Sequence, residues 1–265
     1  VSTRNACKLC APLGACMVFK GIEGCVPMVH GSQGCATYIR RYTISHFREP
    51  MDIASSNFSE KTTIYGGSRN FITGINNVIA QYQPKVMGIA STCLAETIGE
   101  DVPGLIRDYQ ETNKDKDDLP LFVFASTPSY CGSHIDGFHH AVLATISSLA
   151  DNGSQQVHLN IFPGMVSPAD LRYLHDVIDE FTMDAVIFPD YSKSLDGTFT
   201  HEYQLIPSGG TPVSDIRRTG TARASIEFGT VFAKGSTRIK DNKNIPTTGE
   251  WLQSNRYIRN FQMSL

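Results

Sequence analysis

The sequence lacks an excess of either charge: its 265 residues carry 23 Lys and Arg against 26 Asp and Glu, a formal −3. Without a basic field, nucleic acid and anionic membrane are disfavoured as partners. It also lacks any run of the roughly 18 apolar residues that a membrane helix needs. Its first residues show neither the basic nor the apolar stretch of a signal peptide, so the expected location is cytoplasmic. Internal repeats and low-complexity tracts are missing, and with 41% hydrophobic and 18% charged residues the composition excludes a disordered or fibrous chain. Gly66-Gly67 and Ser208-Gly209-Gly210 complete neither the dinucleotide nor the phosphate-loop glycine frame. No Ser/His/Asp arrangement or paired-carboxylate motif supports hydrolysis.

What is present is cysteine, in odd number and unevenly placed. Of seven, Cys7, Cys10, Cys16, Cys25 and Cys35 fall in the first 35 residues. A reducing compartment keeps such residues as thiols, so the density points to metal or redox chemistry rather than to a disulfide scaffold. Cys7 and Cys10 form a C-x-x-C, but no second pair follows, and zinc is disfavoured. A lone cysteine is more often a small core residue, and Cys16 and Cys25 fit that reading in their apolar surroundings; Cys131 stays open. Cys10, before the expected tight turn Ala11-Pro12-Leu13-Gly14, Cys35, after Gly31 and Gly34, and Cys93, directly after an apolar run, suit an iron–sulfur cluster better. Such clusters are held by thiolates and tuned by backbone N–H groups, which Gly34 and its neighbours leave free to approach. His30 precedes the Gly-rich turn and is read either as a donor to a cluster sulfur or as a hydrogen-bonded structural histidine.

After residue 80 the pattern alternates. Short apolar runs at 85–92, 121–125, 157–162, 185–188 and 224–228 read as buried parallel strands. Helix-spaced residues lie between them: Phe138, Val142, Ile146 and Leu149, then Leu171, Leu174, Ile178 and Phe181, the latter begun by Ser167-Pro168-Ala169-Asp170. The expected fold is α/β with Rossmann-like doubly wound parallel sheets. In such sheets the loops leaving the carboxyl ends of strands converge on one crevice, which is where Cys93 and Ser129 fall. The first 80 residues look less regular, with helices expected at 35–47 and 70–82. The expected domains are 1–150, binding the cluster, and 151–229, a partial second unit, followed by a tail, 230–265, without clear repeats.

Several motifs carry a resemblance. Pro27-Met28-Val29-His30-Gly31-Ser32-Gln33-Gly34-Cys35, His46-Phe47-Arg48-Glu49-Pro50, Thr92-Cys93-Leu94-Ala95-Glu96 and Thr127-Pro128-Ser129 together resemble the β-type half of the nitrogenase component 1 superfamily. That half includes the β subunit of the molybdenum–iron protein and the N subunit of the scaffold on which the iron–molybdenum cofactor matures. The resemblance covers about residues 5–229 and implies a chain that is incomplete, lacking a further α/β domain.

The resemblance also implies roles. In the catalytic β subunit three cysteines bind the P-cluster, and the matching positions are Cys10, Cys35 and Cys93; Ser129 matches a serine that can ligate the oxidised cluster. The segments 167–174, 188–197 and 208–215 look more like the scaffold subunit, in which the cysteine at the position of Cys35 completes a 4Fe–4S cluster shared with an E-type, α-type partner. The first expectation is therefore a scaffold subunit in an α2β2 complex, served by a reductase iron protein and a cofactor-precursor donor. The alternative is the β subunit of a nitrogenase or nitrogenase-like reductase carrying an 8Fe–7S P-cluster.

Overall fold

The computed structural model describes residues 9–116, 118–197 and 202–228. Cys7 and the 230–265 tail lie outside the described residues. A helix α1 (Ala11–Lys20) leads by a short turn into strand β1 (Cys25–His30). Then follow α2 (Gln33–Phe47), β2 (Ala54–Ser55), α3 (Glu60–Tyr65), α4 (Ser68–Tyr82), β3 (Val86–Ser91), α5 (Cys93–Thr97), α6 (Val102–Thr112), β4 (Leu121–Ala125) and α7 (His134–Leu149). The remainder is β5 (Leu159–Phe162), α8 (Pro168–Glu180), β6 (Ala185–Ile187), α9 (Val213–Arg218) and β7 (Ala224–Glu227). The first sheet has the order β2-β1-β3-β4 and the second β6-β5-β7, and all pairs are parallel.

The two inner strands of the first sheet, β1 and β3, are buried on both faces, so their side chains alternate between two apolar layers rather than between core and water. Along β1, Cys25 and Val29 enter one layer, with α1 and α7, while Val26 and Met28 enter the other, with Phe71, Ile75 and Val78 of α4 and Ile106 of α6. The first layer runs on without a break into the second sheet through Ile161, Leu171, Phe188 and Leu195. The sheets change over between α7 and β5.

The structure corrects the opening segment. The Pro-Leu-Gly after Cys10 is not a tight turn but the first turn of α1, with Cys10 as its N-cap. Pro is tolerated there because first-turn N–H groups have no intrahelical partner. Gly14 is required by packing: a Cβ there would stand 1.8 Å from the carbonyl oxygen of His134 in α7. Residues 9–80 are also more regular than their composition suggests, since β1 interrupts its apolar pattern with Pro27 yet pairs along its whole length with β3. Val157 is exposed, and β5 begins only at Leu159.

Candidate metal centre

The sheet order places the cysteines. The chain leaves β1 toward β2 on one side and returns to β3 on the other, which makes the gap between the carboxyl ends of β1 and β3 the topological switch point. His30 and Ser91, the last residues of these strands, are register partners. Cys35 lies just beyond the first and Cys93 just beyond the second. Thr92 stitches the two exits together: its backbone N–H and its Oγ1 both donate to the His30 carbonyl at 3.1 Å. Gly31 is needed opposite it, because a Cβ there would meet Thr92 Oγ1 at 2.0 Å.

Each of the three cysteines sits at a helix start. Cys10 caps α1, Cys35 lies in the first turn of α2 behind the N-cap Ser32, and Cys93 opens α5 behind the N-cap Thr92. Cys10 and Cys35 are exposed and Cys93 is half-buried. Partial burial of the Cys35 sulfur raises its pKa, and the Cys10 and Cys93 sulfurs lie near enough to raise it further by like-charge repulsion. The three positions therefore share one site.

Ser129 joins them. Its backbone N–H donates to Cys93 Sγ at 3.2 Å, and its hydroxyl accepts from the Ala11 N–H at 3.1 Å, one residue from Cys10. Gly34 has open space at its Cβ position, with only Ser32 Oγ at 3.7 Å. Among the described residues no three His, Cys, Asp or Glu side chains gather closely enough for a single metal ion. A donor set of three spaced thiols at one open edge, with an amide aimed at a sulfur, fits a thiolate-held cluster of several irons.

His30 has another partner. It is fully buried, its ring stands edge-on between Phe58 and Phe71, and Nε2 donates to Glu100 at 3.4 Å rather than to a cysteine. Burial lowers its pKa against the opposing pull of Glu100. Glu100 also accepts from the Gly67 N–H at 2.6 Å, so the pair braces the loop after α5. Cys16 and Cys25 are buried core residues and Cys131 is exposed on the Ser129 loop. The residues that sequence reasoning left without a role are Glu96, Glu100, Ser91 and Thr92. Their signal is a carboxylate or hydroxyl within a few residues of a cysteine at a strand-to-helix junction.

Parallel sheets flanked by helices, with cysteines gathered beyond the strand ends, define a protein of the doubly wound α/β class. Residues 10–250 match the family described as nitrogenase component 1 type oxidoreductase, and the chain belongs to that family. It is 36% identical over 240 residues to the nitrogenase molybdenum-iron protein beta chain of Clostridium pasteurianum, covering 90% of this chain and 52% of that protein. It is 31% identical over 244 residues to the nitrogenase iron-molybdenum cofactor biosynthesis protein NifN of a Nostoc species, covering 91% and 55%. The solved structure described as nitrogenase Cp1 at pH 6.5 superposes with a TM-score of 0.88 at 33% identity, over 93% of this chain and 55% of that one. The chain spans about half the length of the curated relatives it matches.

Proposed function

We propose that this chain is the cluster-bearing part of a β-type subunit, whose work is to relay electrons through an iron–sulfur centre shared with a homologous α-type subunit. The observation that carries this reading is the convergence of Cys10, Cys35 and Cys93, with the Ser129 amide on the Cys93 sulfur. Three thiolates from one side suit a cluster of the 8Fe–7S kind, and hence a nitrogenase-type reductase subunit supplied by a reductase iron protein in the cytoplasm. When bound, the cluster supplies one-electron redox steps with little rearrangement. The chain's part is to hold it: the three sulfurs face one site, and the Ser129 amide on Cys93 withdraws charge from one of them. The exposed Cys10 and Cys35 leave the remaining coordination to the partner.

A second reading, a scaffold subunit for cofactor maturation holding a 4Fe–4S cluster, is favoured by the 188–197 and 208–215 motifs and by the likeness to NifN. It would add a cofactor-precursor donor to the partners. The test uses the complete subunit copurified anaerobically with its α-type partner, as wild type and as the Cys10→Ala/Cys93→Ala double variant. Loss of at least half of the iron and acid-labile sulfide is expected. Full retention, with a half-integer spin signal on reduction, would decide for the scaffold.

A further inference from the structure

Glu96 lies on α5 three residues after Cys93, and its Oε1 accepts two hydroxyl hydrogen bonds. One comes from Ser91, the last residue of β3, and the other from Ser126 after β4, at 2.6 Å. Ser91 in turn accepts from the Thr127 N–H at 3.0 Å, and Thr127 Oγ1 donates to the Ser91 carbonyl at 2.7 Å. Ser91 and Thr127 are fully buried, so both bonds are shielded from competing water. Two residues past Thr127, the Ser129 N–H meets Cys93 Sγ. The ring closes from Cys93 through Glu96, Ser91 and Ser126, and Thr127 back to Cys93.

We propose that Glu96 is a positioning residue: it locks α5 to the loop after β4 and so aims the Ser129 amide at the Cys93 sulfur. The exposed Ser126 hydroxyl could find water instead, and the buried Ser91 hydroxyl has no such alternative; one carboxylate oxygen holding both fixes the first and satisfies the second. The lock stands on this chain's own hydrogen bonds, and only its effect on a bound centre rests on the cluster reading given above. Neither Ser91 nor Ser126 touches a cysteine in this ring, so the lock can be opened while the thiols are kept.

Hydrogen exchange at the Ser129 amide is measured in the metal-free complete subunit with its α-type partner. About tenfold faster exchange is expected in Glu96→Ala, the factor set by one lost hydrogen bond. Glu96→Gln should stay near wild type, because its amide oxygen still accepts from both hydroxyls. Ser126→Ala, which removes one bond and leaves α5 intact, should accelerate exchange less, and it serves if Glu96→Ala does not fold. After reconstitution with iron and sulfide, Glu96→Ala should shift the midpoint potential negative, since a weakened N–H···S bond returns charge to the sulfur. Glu96→Gln should restore it. Unchanged Ser129 exchange in the alanine variants would overturn the lock, and so would faster exchange in Glu96→Gln equal to that in Glu96→Ala. A wild-type complex that takes up no iron would overturn the cluster reading, with the exchange result still deciding for or against the lock.

Discussion

His139 is nine-tenths buried in α7, and burial pulls its pKa down to about 4 against the attraction of Asp136. A histidine depressed in the folded state binds its proton more readily in the unfolded chain. Its contribution is therefore complete above pH 6.5 and is lost as the pH falls toward 4, on the order of 3 kcal/mol at the acid end. Thermal midpoints of the metal-free subunit should fall through that window, and a histidine titration followed by NMR should show His139 still neutral at pH 5. The cysteines divide at the same scale. Burial pushes Cys16 and Cys25 up to about 12, so they stay protonated at neutral pH and unreactive. Alkylation of the native metal-free subunit, read by mass spectrometry, should leave both unmodified until the chain is denatured. Apolar neighbours in the sequence already mark these two as core thiols. The Glu100 partner of His30 is invisible there, because the two lie 70 residues apart.

At the scale of elements, two helices approach at glycine. A Cβ at Gly137 of α7 would stand 1.9 Å from the carbonyl oxygen of Ala11, the first residue of α1. Backbone cannot yield there as a side chain could, so Gly137→Ala should destabilise by about 2 kcal/mol through overpacking, seen as a lowered denaturation midpoint. The displacement acts directly on Ala11, whose N–H holds Ser129, so iron content should also fall in the copurified complex. β3 makes a similar demand, since a Cβ at Gly88 would lie 2.2 Å from the ring of Phe19. The later strands and the long helices α2, α4, α7 and α8 are legible in sequence. The capping box of α8, in which Ser167 and Asp170 bond each other's backbone N–H, follows directly from Ser-Pro-Ala-Asp. The start of α1 is not legible in the same way, because Pro12 and Gly14 read locally as a turn and only the packing of α7 explains the glycine.

Among the described residues, the segment after α1 is tied to the second sheet's side by hydrogen bonds to backbone carbonyls. Glu23 N–H donates to the Thr211 carbonyl at 3.0 Å, Thr211 N–H to the Gly21 carbonyl at 2.8 Å, and Ser194 Oγ to the Lys20 carbonyl at 2.6 Å. Gly210 makes the approach possible: its φ is +98°, and a Cβ would stand 2.5 Å from the Glu23 nitrogen. Gly210→Ala should cost about 2–3 kcal/mol in strain and collision. Because one apolar layer spans both sheets, near-UV and far-UV transitions of the metal-free subunit should shift down together rather than separate.

Local sequence determined five of the seven described strands, the helices α2, α4, α7 and α8, the cap of α8 and the place of Cys93 after β3, because side-chain period and capping chemistry act within a few residues of one another. Only the tertiary structure decided that β1 and β3 lie side by side, that Cys10 is carried to the same edge by α1 against α7, and that Glu96 joins two loops. Strand order and helix docking are settled by burial of surfaces far apart in the chain, and no short-range pattern encodes which carboxyl ends become neighbours.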